Sequence, residues 1–360
     1  QVAAEAAQVA AEAAQVAAEA AAAAAVAAST RFRNRIINPT GAVYQRDNPA
    51  TTDAVYFADR WYMLTQTASV TPEKISNPEA GYRDGVRITQ TQAAAQRFGF
   101  AQVIEGRNCV DLRGSAVVLS PRIRSSSTTT IRYAILEWTG TEDSLGAGSD
   151  VVNSWTNGTY TAGQFFKATT TNVIAVGSQV ATANTWTTLD ELDGTIGASA
   201  NNIVIFIWTS AAESTNYTLD FDFVQFEKGT TATEFERREY SEELAMCQRY
   251  YFKTFDQDVA PAQNTGDNAG AVLYTTPASG VSSRAQVCEF PVPMRGTGSI
   301  TYFNIGGAND AWRNLTGAAD SATGATYAFG HRSLILENAQ VGGDVAGNYI
   351  GIHFTVEAEL

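Results

Sequence analysis

Histidine, cysteine and methionine are scarce in this 360-residue chain, with two, three and three of them. The histidines, His331 and His353, have no Cys or His companion at metal-ligand spacing, so a zinc or iron site lacks its ligands. Cys109, Cys247 and Cys288 are odd in number and widely spaced, which excludes a disulfide framework and fits buried thiols instead. Positive charge is short as well. Lys and Arg number 24 against 37 Asp and Glu, and a formal net charge of −13 argues against a nucleic-acid or anionic-membrane partner. No apolar run approaches the ~20 residues of a membrane span. The Ala-rich start carries glutamates where a signal peptide would carry a basic region. No G-x-S-x-G elbow, H-E-x-x-H helix, Walker loop or G-x-G-x-x-G turn occurs, so catalysis finds little support.

What is present first is a repeat. Residues 1–21 read QVAAEAA three times and then relax into alanine. Alanine is the strongest helix former, and a seven-residue period is that of a coiled-coil strand. Placing Val2, Val9 and Val16 at d puts Ala6, Ala13 and Ala20 at a and the glutamates at g, in water. The alternative register would bury a ring of glutamates. Residues 1–30 are thus expected to form an oligomerising shaft, roughly 40 Å long at ~1.5 Å per residue. The start on Gln1, in mid-repeat, reads as the end of a longer shaft.

From Asn38-Pro39-Thr40-Gly41 onward the pattern changes to short apolar or alternating runs between Gly, Asn, Ser and Thr turns. The expected strands include Ala54–Met63, Gly85–Gln90, Ala116–Ser120, Thr130–Trp138, Thr171–Val176, Asn202–Trp208 and Thr218–Phe226. Ile203–Trp208 is continuously apolar and is expected to be covered on both faces. Leu219, Phe221 and Phe223 alternate with Asp220 and Asp222, which predicts one dry and one wet face. Ser241–Gln248 reads as a short helix capped by Ser241. Seven further runs, from Arg249–Lys253 to Tyr349–Val356, predict a second β domain with loops at Gln263–Gly270 and Gly306–Gly324. Alternation in the last run points His353 toward solvent or a neighbouring subunit. The reading is mainly β: a coiled coil (1–30), a jelly-roll sandwich (35–238), a short connecting helix and strand start (239–252) and a C-terminal β-sandwich (253–360).

A series of motifs resembles a module common in bacteriophage and prophage tail-fibre proteins. It runs from Asn38-Pro39 and Val43-Tyr44-Gln45-Arg46 to Ala58-Asp59-Arg60-Trp61-Tyr62 and Gln102-Val103-Ile104-Glu105. Leu112-Arg113-Gly114, Leu136–Thr141, Val224–Gly229 and Thr233–Glu236 follow, then Glu243–Tyr251 and the final Ala358-Glu359-Leu360. The resemblance implies a jelly roll similar to carbohydrate-binding modules, carried on a homotrimeric fibre or spike of the virion. Its partners would be other tail or baseplate proteins through the shaft, and bacterial capsule or lipopolysaccharide. Most of these motifs read as scaffold. Trp61 and Tyr62 would anchor the core beside a local ion pair, and Tyr250 and Tyr251 would pack between the two β domains.

Sugar binding needs exposed aromatic faces with amide and carboxylate groups beside them. The loop-placed candidates are Trp155, Tyr160, Trp186 and above all Trp312, flanked by Asn309, Asp310, Arg313 and Asn314. Trp138 and Trp208 lie in expected strands and read as core. Asp190, Asp193 and Asp222 are weak candidates for a structural calcium, since calcium takes hard oxygen ligands, and related jelly rolls often hold one. No other cofactor is expected. The leading function is attachment to bacterial surface polysaccharide; a polysaccharide depolymerase and an architectural head or collar fibre without a receptor are the alternatives.

Overall fold

The computed structural model describes residues 8, 11–15, 32–46, 51–146, 150–168, 171–257, 259–267, 270–277, 283–339 and 344–360. In the repeat, Gln8 and residues 11–15 are helical, and the Gln8 amide donates to Glu12 one turn on at 3.0 Å. Of the seam residues only Ala13 is among them; Val2, Ala6, Val9, Val16 and Ala20, and with them the coiled-coil seam, lie outside the described residues. No helix among the described residues is long and apolar enough to cross a membrane.

The chain beyond the repeat is built of antiparallel strands. One six-stranded sheet takes the order β1-β2-β5-β11-β7-β8, from Val55–Ala58 (β1), Trp61–Thr65 (β2), Phe98–Ile104 (β5), Thr129–Trp138 (β7), Thr171–Ala181 (β8) and Asn202–Thr209 (β11). A second takes the order β10-β6-β12-β4-β3, from Thr71–Glu79 (β3), Tyr82–Thr89 (β4), Ala116–Ser125 (β6), Leu192–Thr195 (β10) and Thr218–Lys228 (β12), with Trp186–Thr188 (β9) on β6. The chain changes sheet at β2–β3, β4–β5, β5–β6, β6–β7, β8–β9, β10–β11 and β11–β12, so the two sheets close on one another as a sandwich. Between them lie Trp61, Phe100 and Phe221. Phe100 and Phe221 stack at 4.2 Å, and Trp61 meets Phe100 edge-on at 5.4 Å and tilts against Phe221 at 5.1 Å. Such ring pairs add about 0.5–1.5 kcal/mol each beyond the area they bury.

Strand β11 is buried at every position. Ile203, Ile205 and Ile207 face the inter-sheet core, while Val204, Phe206 and Trp208 lie under a flap that includes Leu145 and residues 151–166. The flap holds Trp155 and Tyr160, which pack on Phe165, Phe206 and Trp208.

Several expectations are corrected. Ala54–Met63 is not one strand but a hairpin, turning at Asp59-Arg60 with Arg60 at φ +70. Ser241 does not cap the helix: α1 spans Tyr240–Gln248 after Glu239, and Glu243 in its first turn is buried. Asp220 and Asp222 do not face water; both are buried, because an arginine ladder on the neighbouring strands covers them.

The C-terminal residues form two further sheets. Tyr349–Glu357 (β21) pairs with Tyr251–Lys253 (β13), Val272–Thr275 (β14), Ser299–Phe303 (β16) and Ala311–Asn314 (β17), and β17 pairs with Ala319–Thr323 (β18). Ser283–Glu289 (β15), Ala325–Phe329 (β19) and Ser333–Asn338 (β20) make a three-stranded sheet. The two share a core of Trp312, Leu334, Leu336, Ile352, Phe354 and Val356. His353 is on the other face of β21 but does not reach solvent. It is fully buried, stacked on Phe255 at 4.1 Å, with Nδ1 2.8 Å from the Thr254 hydroxyl. Cys109 and Cys247 are buried and Cys288 is half-buried; burial pushes the Cys109 thiol up to about 12.

The N-terminal and C-terminal sheets are joined by a clamp built from the recurring motifs. Arg60 and Arg46 both pair with Glu359, and Arg46 also reaches Glu357 at 3.3 Å. Arg60 lies over the Tyr250 ring at 3.7 Å and Arg46 over the Tyr251 ring at 4.0 Å. Glu105 accepts Arg249 at 2.6 Å and the Tyr250 hydroxyl at 2.7 Å. The ion pair expected between Asp59 and its neighbour is thus replaced: Asp59 accepts two bonds from Gln45, and Arg60 is held by Glu359.

Candidate functional site

Strands β6 and β12 lie side by side in the second sheet, and their register sets Arg122 opposite Asp222 and Arg124 opposite Asp220. The R-x-R of Arg122 and Arg124 and the D-x-D of Asp220 and Asp222 therefore share the sheet's outer face, with period two on both strands. Arg122 donates to Asp222 at 2.7 Å and also pairs with Glu79. Asp220 receives Arg124 at 2.8 Å and Arg87 at 2.8 and 3.0 Å.

Aromatic rings surround this ladder. The Arg122 guanidinium lies 4.4 Å from the Tyr82 ring centroid and 4.7 Å from that of Trp186, and Arg124 lies 4.8 Å from Trp186. Phe223 joins them because the strand bulges. The pairing of β12 with β6 shifts between Asp222 and Gln225, and Phe223 takes φ +46. The extra residue turns Phe223 outward, where alternation alone would send it into the core. It stacks on Phe235 at 4.3 Å and packs against Tyr82 at 4.8 Å. Tyr82, Trp186, Phe223 and Phe235 are each half-buried. A groove of ≈ 220 Å³ runs among Ser120, Arg122, Thr188, Phe223, Gln225, Thr233 and Phe235.

The charge at the base of this face is unusual. Burial pushes Asp222 up to about 7, with Arg122 pulling against it and Glu79 adding to it. Its Oδ1 is buried and has no hydrogen-bond partner among the described residues, and neither has the Trp186 indole nitrogen. An unmade bond at a buried polar atom costs about 1–3 kcal/mol. Half-exposed rings beside a fixed guanidinium suit a ligand that offers C–H groups on its flat face and hydroxyls along its edge.

Only one of the aromatic residues expected from the sequence belongs here. Trp186 stands on β9 at the edge of the face. Trp155 and Tyr160 are half-buried in the flap of the other sheet, with Arg132 4.0 Å above the Tyr160 ring. Trp312 is a correction: it lies in strand β17, fully buried, with its indole nitrogen donating to the Glu337 carbonyl at 3.0 Å. Its neighbours are bound within the same domain. Asn309 and Arg313 bond to Asp320, buried Asn314 bonds to Asp344 and Asn348, and Asp310 is exposed. The loop expected at Gly306–Gly324 holds β17, seated by pairing with β21, and β18, which pairs with β17.

The calcium candidates do not converge. Asp190 and Asp193 are exposed, Asp193 on edge strand β10, while Asp222 is answered by Arg122. Among the described residues, no group of three or more His, Cys, Asp or Glu side chains is placed to hold a metal ion.

Sequence reading passed over Tyr82, Arg122, Arg124, Phe223 and Phe235. The signal available was the matching R-x-R and D-x-D periodicity; the bulge that exposes Phe223 has no such mark.

No family model matches the chain, and no curated protein does. Among solved structures it is similar to the CBM22-1–GH10 modules of Clostridium thermocellum xylanase 10B complexed with xylohexaose (15% identity, 56% of this chain and 29% of that one, TM-score 0.33). It is also similar to a CBM61 module in complex with β-1,4-galactotriose (12%, 55% and 99%, 0.32). A third similar structure is the enzymatically active domain of tailspike protein 4 of bacteriophage CBA120 (14%, 55% and 22%, 0.33). The chain thus spans under a third of the xylanase and tailspike chains. At these TM-scores the likenesses are too slight to assign a role.

Proposed function

We propose that the chain binds polysaccharide on the outer face of its second sheet and acts as the receptor-binding part of a phage tail fibre or spike. Attachment is to bacterial surface polysaccharide, by binding without cleavage. The observation that carries the binding reading is the arrangement around Arg122. Its guanidinium is fixed beside the Tyr82 and Trp186 rings and next to Phe223, and is held there by the buried Asp222 carboxylate. Rings held this firmly lose little freedom when a ligand stacks on them.

The fibre reading rests on the motif series. The clamp gives those motifs a physical purpose, since Arg46, Arg60, Glu105, Tyr250, Tyr251 and Glu359 are the residues that lock the two β regions together. The heptads supply a homotrimeric shaft that joins the protein to other tail or baseplate proteins. Three linked sites raise a weak single-site affinity by ~10²–10⁴. The purified protein is expected to sediment as a trimer, to bind host cells and to block phage adsorption, leaving polysaccharide chain length unchanged. A monomer with the repeat intact would remove the trimer. Failure to bind cells would favour an architectural fibre, and shortened polymer a depolymerase.

A further inference from the structure

We infer that the ligand of this face is an anionic glycan whose acidic group, carboxylate or phosphate, is held between Arg83 and Arg237; this rests on the face binding polysaccharide. The aromatic groove does not stop at Phe235. That ring also lines a second and larger cavity of ≈ 600 Å³, which Arg83 and Arg237 line as well. The two hollows therefore share a wall, and a ligand stacked on the rings of one extends into the other.

The charges in the larger cavity are unevenly answered. Its three carboxylates are occupied: Asp84 by Lys74 at 3.2 Å, Glu243 by Arg238 at 2.9 Å, and Glu236 by the backbone N–H groups of Phe32 and Asn34 at 2.7 Å each. Arg83 and Arg237 are exposed, and among the described residues neither has a carboxylate within ion-pair distance. Arg237 is nevertheless positioned, with its guanidinium 4.6 Å from the Phe223 centroid and 5.8 Å from that of Tyr82. On a chain of net charge −13, two unanswered arginines lining one cavity, with the Arg237 guanidinium beside the stacking rings, run against the overall charge. A planar guanidinium bonds carboxylate and phosphate in two-pronged fashion, which a neutral sugar hydroxyl cannot match. Ring stacking by Trp186 and Tyr82 gives affinity for sugar in general, and the arginine pair selects the charged one.

The test is an array of acidic glycans, uronate-containing and phosphorylated, each printed beside its carboxyl-reduced or dephosphorylated partner. It is probed with the full chain, with the double variant Arg83→Ala/Arg237→Ala and with Trp186→Ala. Both arginines are exposed, and unfolding curves check that the double variant keeps its fold. The expected result is binding to acidic glycans at least ~10-fold above their neutral partners, lost in the double variant, with neutral partners unaffected by it. Whether uronates or phosphates are bound identifies the acidic group. Equal binding to acidic and neutral partners, or an arginine variant that keeps its preference, overturns the inference while leaving polysaccharide binding in place. No binding of any glycan by the wild type overturns both.

Discussion

Replacing Glu359 by Gln tests the clamp with almost no change of shape. The Glu359 carboxylate holds Arg60 and Arg46, and the three side chains are 5%, 1% and 6% exposed. Burial works against charge on both arginines, and Glu359 outweighs it only together with other neighbours, Glu357 and Asp59 at Arg46 and Tyr250 and Tyr56 at Arg60, so that both stay above the usual arginine range. Removing one member of a buried ion pair costs about 3–5 kcal/mol, because the other charge stays buried without a counterion. Two features move the figure to the low end. Arg46 keeps Glu357 at 3.3 Å, and Arg60 keeps the Val103 carbonyl at 2.5 Å. The expected loss is therefore about 3 kcal/mol. With a urea slope of ~2 kcal/mol/M, the unfolding midpoint falls by ~1.5 M. Glu357→Gln is the control, since Glu357 is 43% exposed and such a pair contributes about 0–1 kcal/mol. Equilibrium denaturation followed by tryptophan fluorescence measures both. If Glu359→Gln costs no more than Glu357→Gln, the pair is effectively solvated and the clamp does not hold the two regions together.

Trp312→Ala is expected to cost about 3–5 kcal/mol, as for other large core aromatics, and to leave glycan affinity unchanged under conditions where it stays folded; a selective loss of binding would return Trp312 to the site. His353 makes stability depend on pH. Burial lowers it to about 4 in the folded protein, against about 6.5 unfolded. Its neutral form is favoured on folding, so its contribution is complete above pH ~6.5 and is lost as pH falls toward 4, by up to about 3 kcal/mol. Asp222, raised to about 7, acts with the opposite sign: its contribution is present at low pH and lost as pH rises through 7. Comparing wild type with His353→Gln isolates the histidine, and equal slopes between pH 4 and 6.5 would refute its burial as the neutral form.

Much of the fold is legible where one residue pattern has one structural answer. Ile203–Trp208 is apolar throughout, and only a strand covered on both faces accommodates that. Asp220 and Asp222 show where legibility ends. Their spacing places them on one face, but burial comes from Arg87, Arg122 and Arg124, which register brings from strands far away in sequence. Trp312 fails for a related reason: its Asn- and Gly-rich surroundings read as a loop, and only pairing with β21 makes it core. His353 alternates with apolar residues as an exposed position would, yet the segment after β13 covers that face with Phe255. The proposed face is half legible. Trp186 stands out as an aromatic residue in a polar stretch, whereas Phe223 depends on a backbone bulge that side-chain periodicity cannot show.

The measurement that bears most directly on the proposed face is the glycan affinity of Trp186→Ala beside that of the wild type, by titration calorimetry with a glycan the wild type binds. Trp186 is half-buried on an edge strand, and its ring meets Arg122 and Arg124 without joining either sandwich core, so the variant keeps the fold. Affinity is predicted to fall ~10-fold or more, a loss of at least about 1.4 kcal/mol. Unchanged affinity in a folded Trp186→Ala would contradict the account and place binding elsewhere on the molecule.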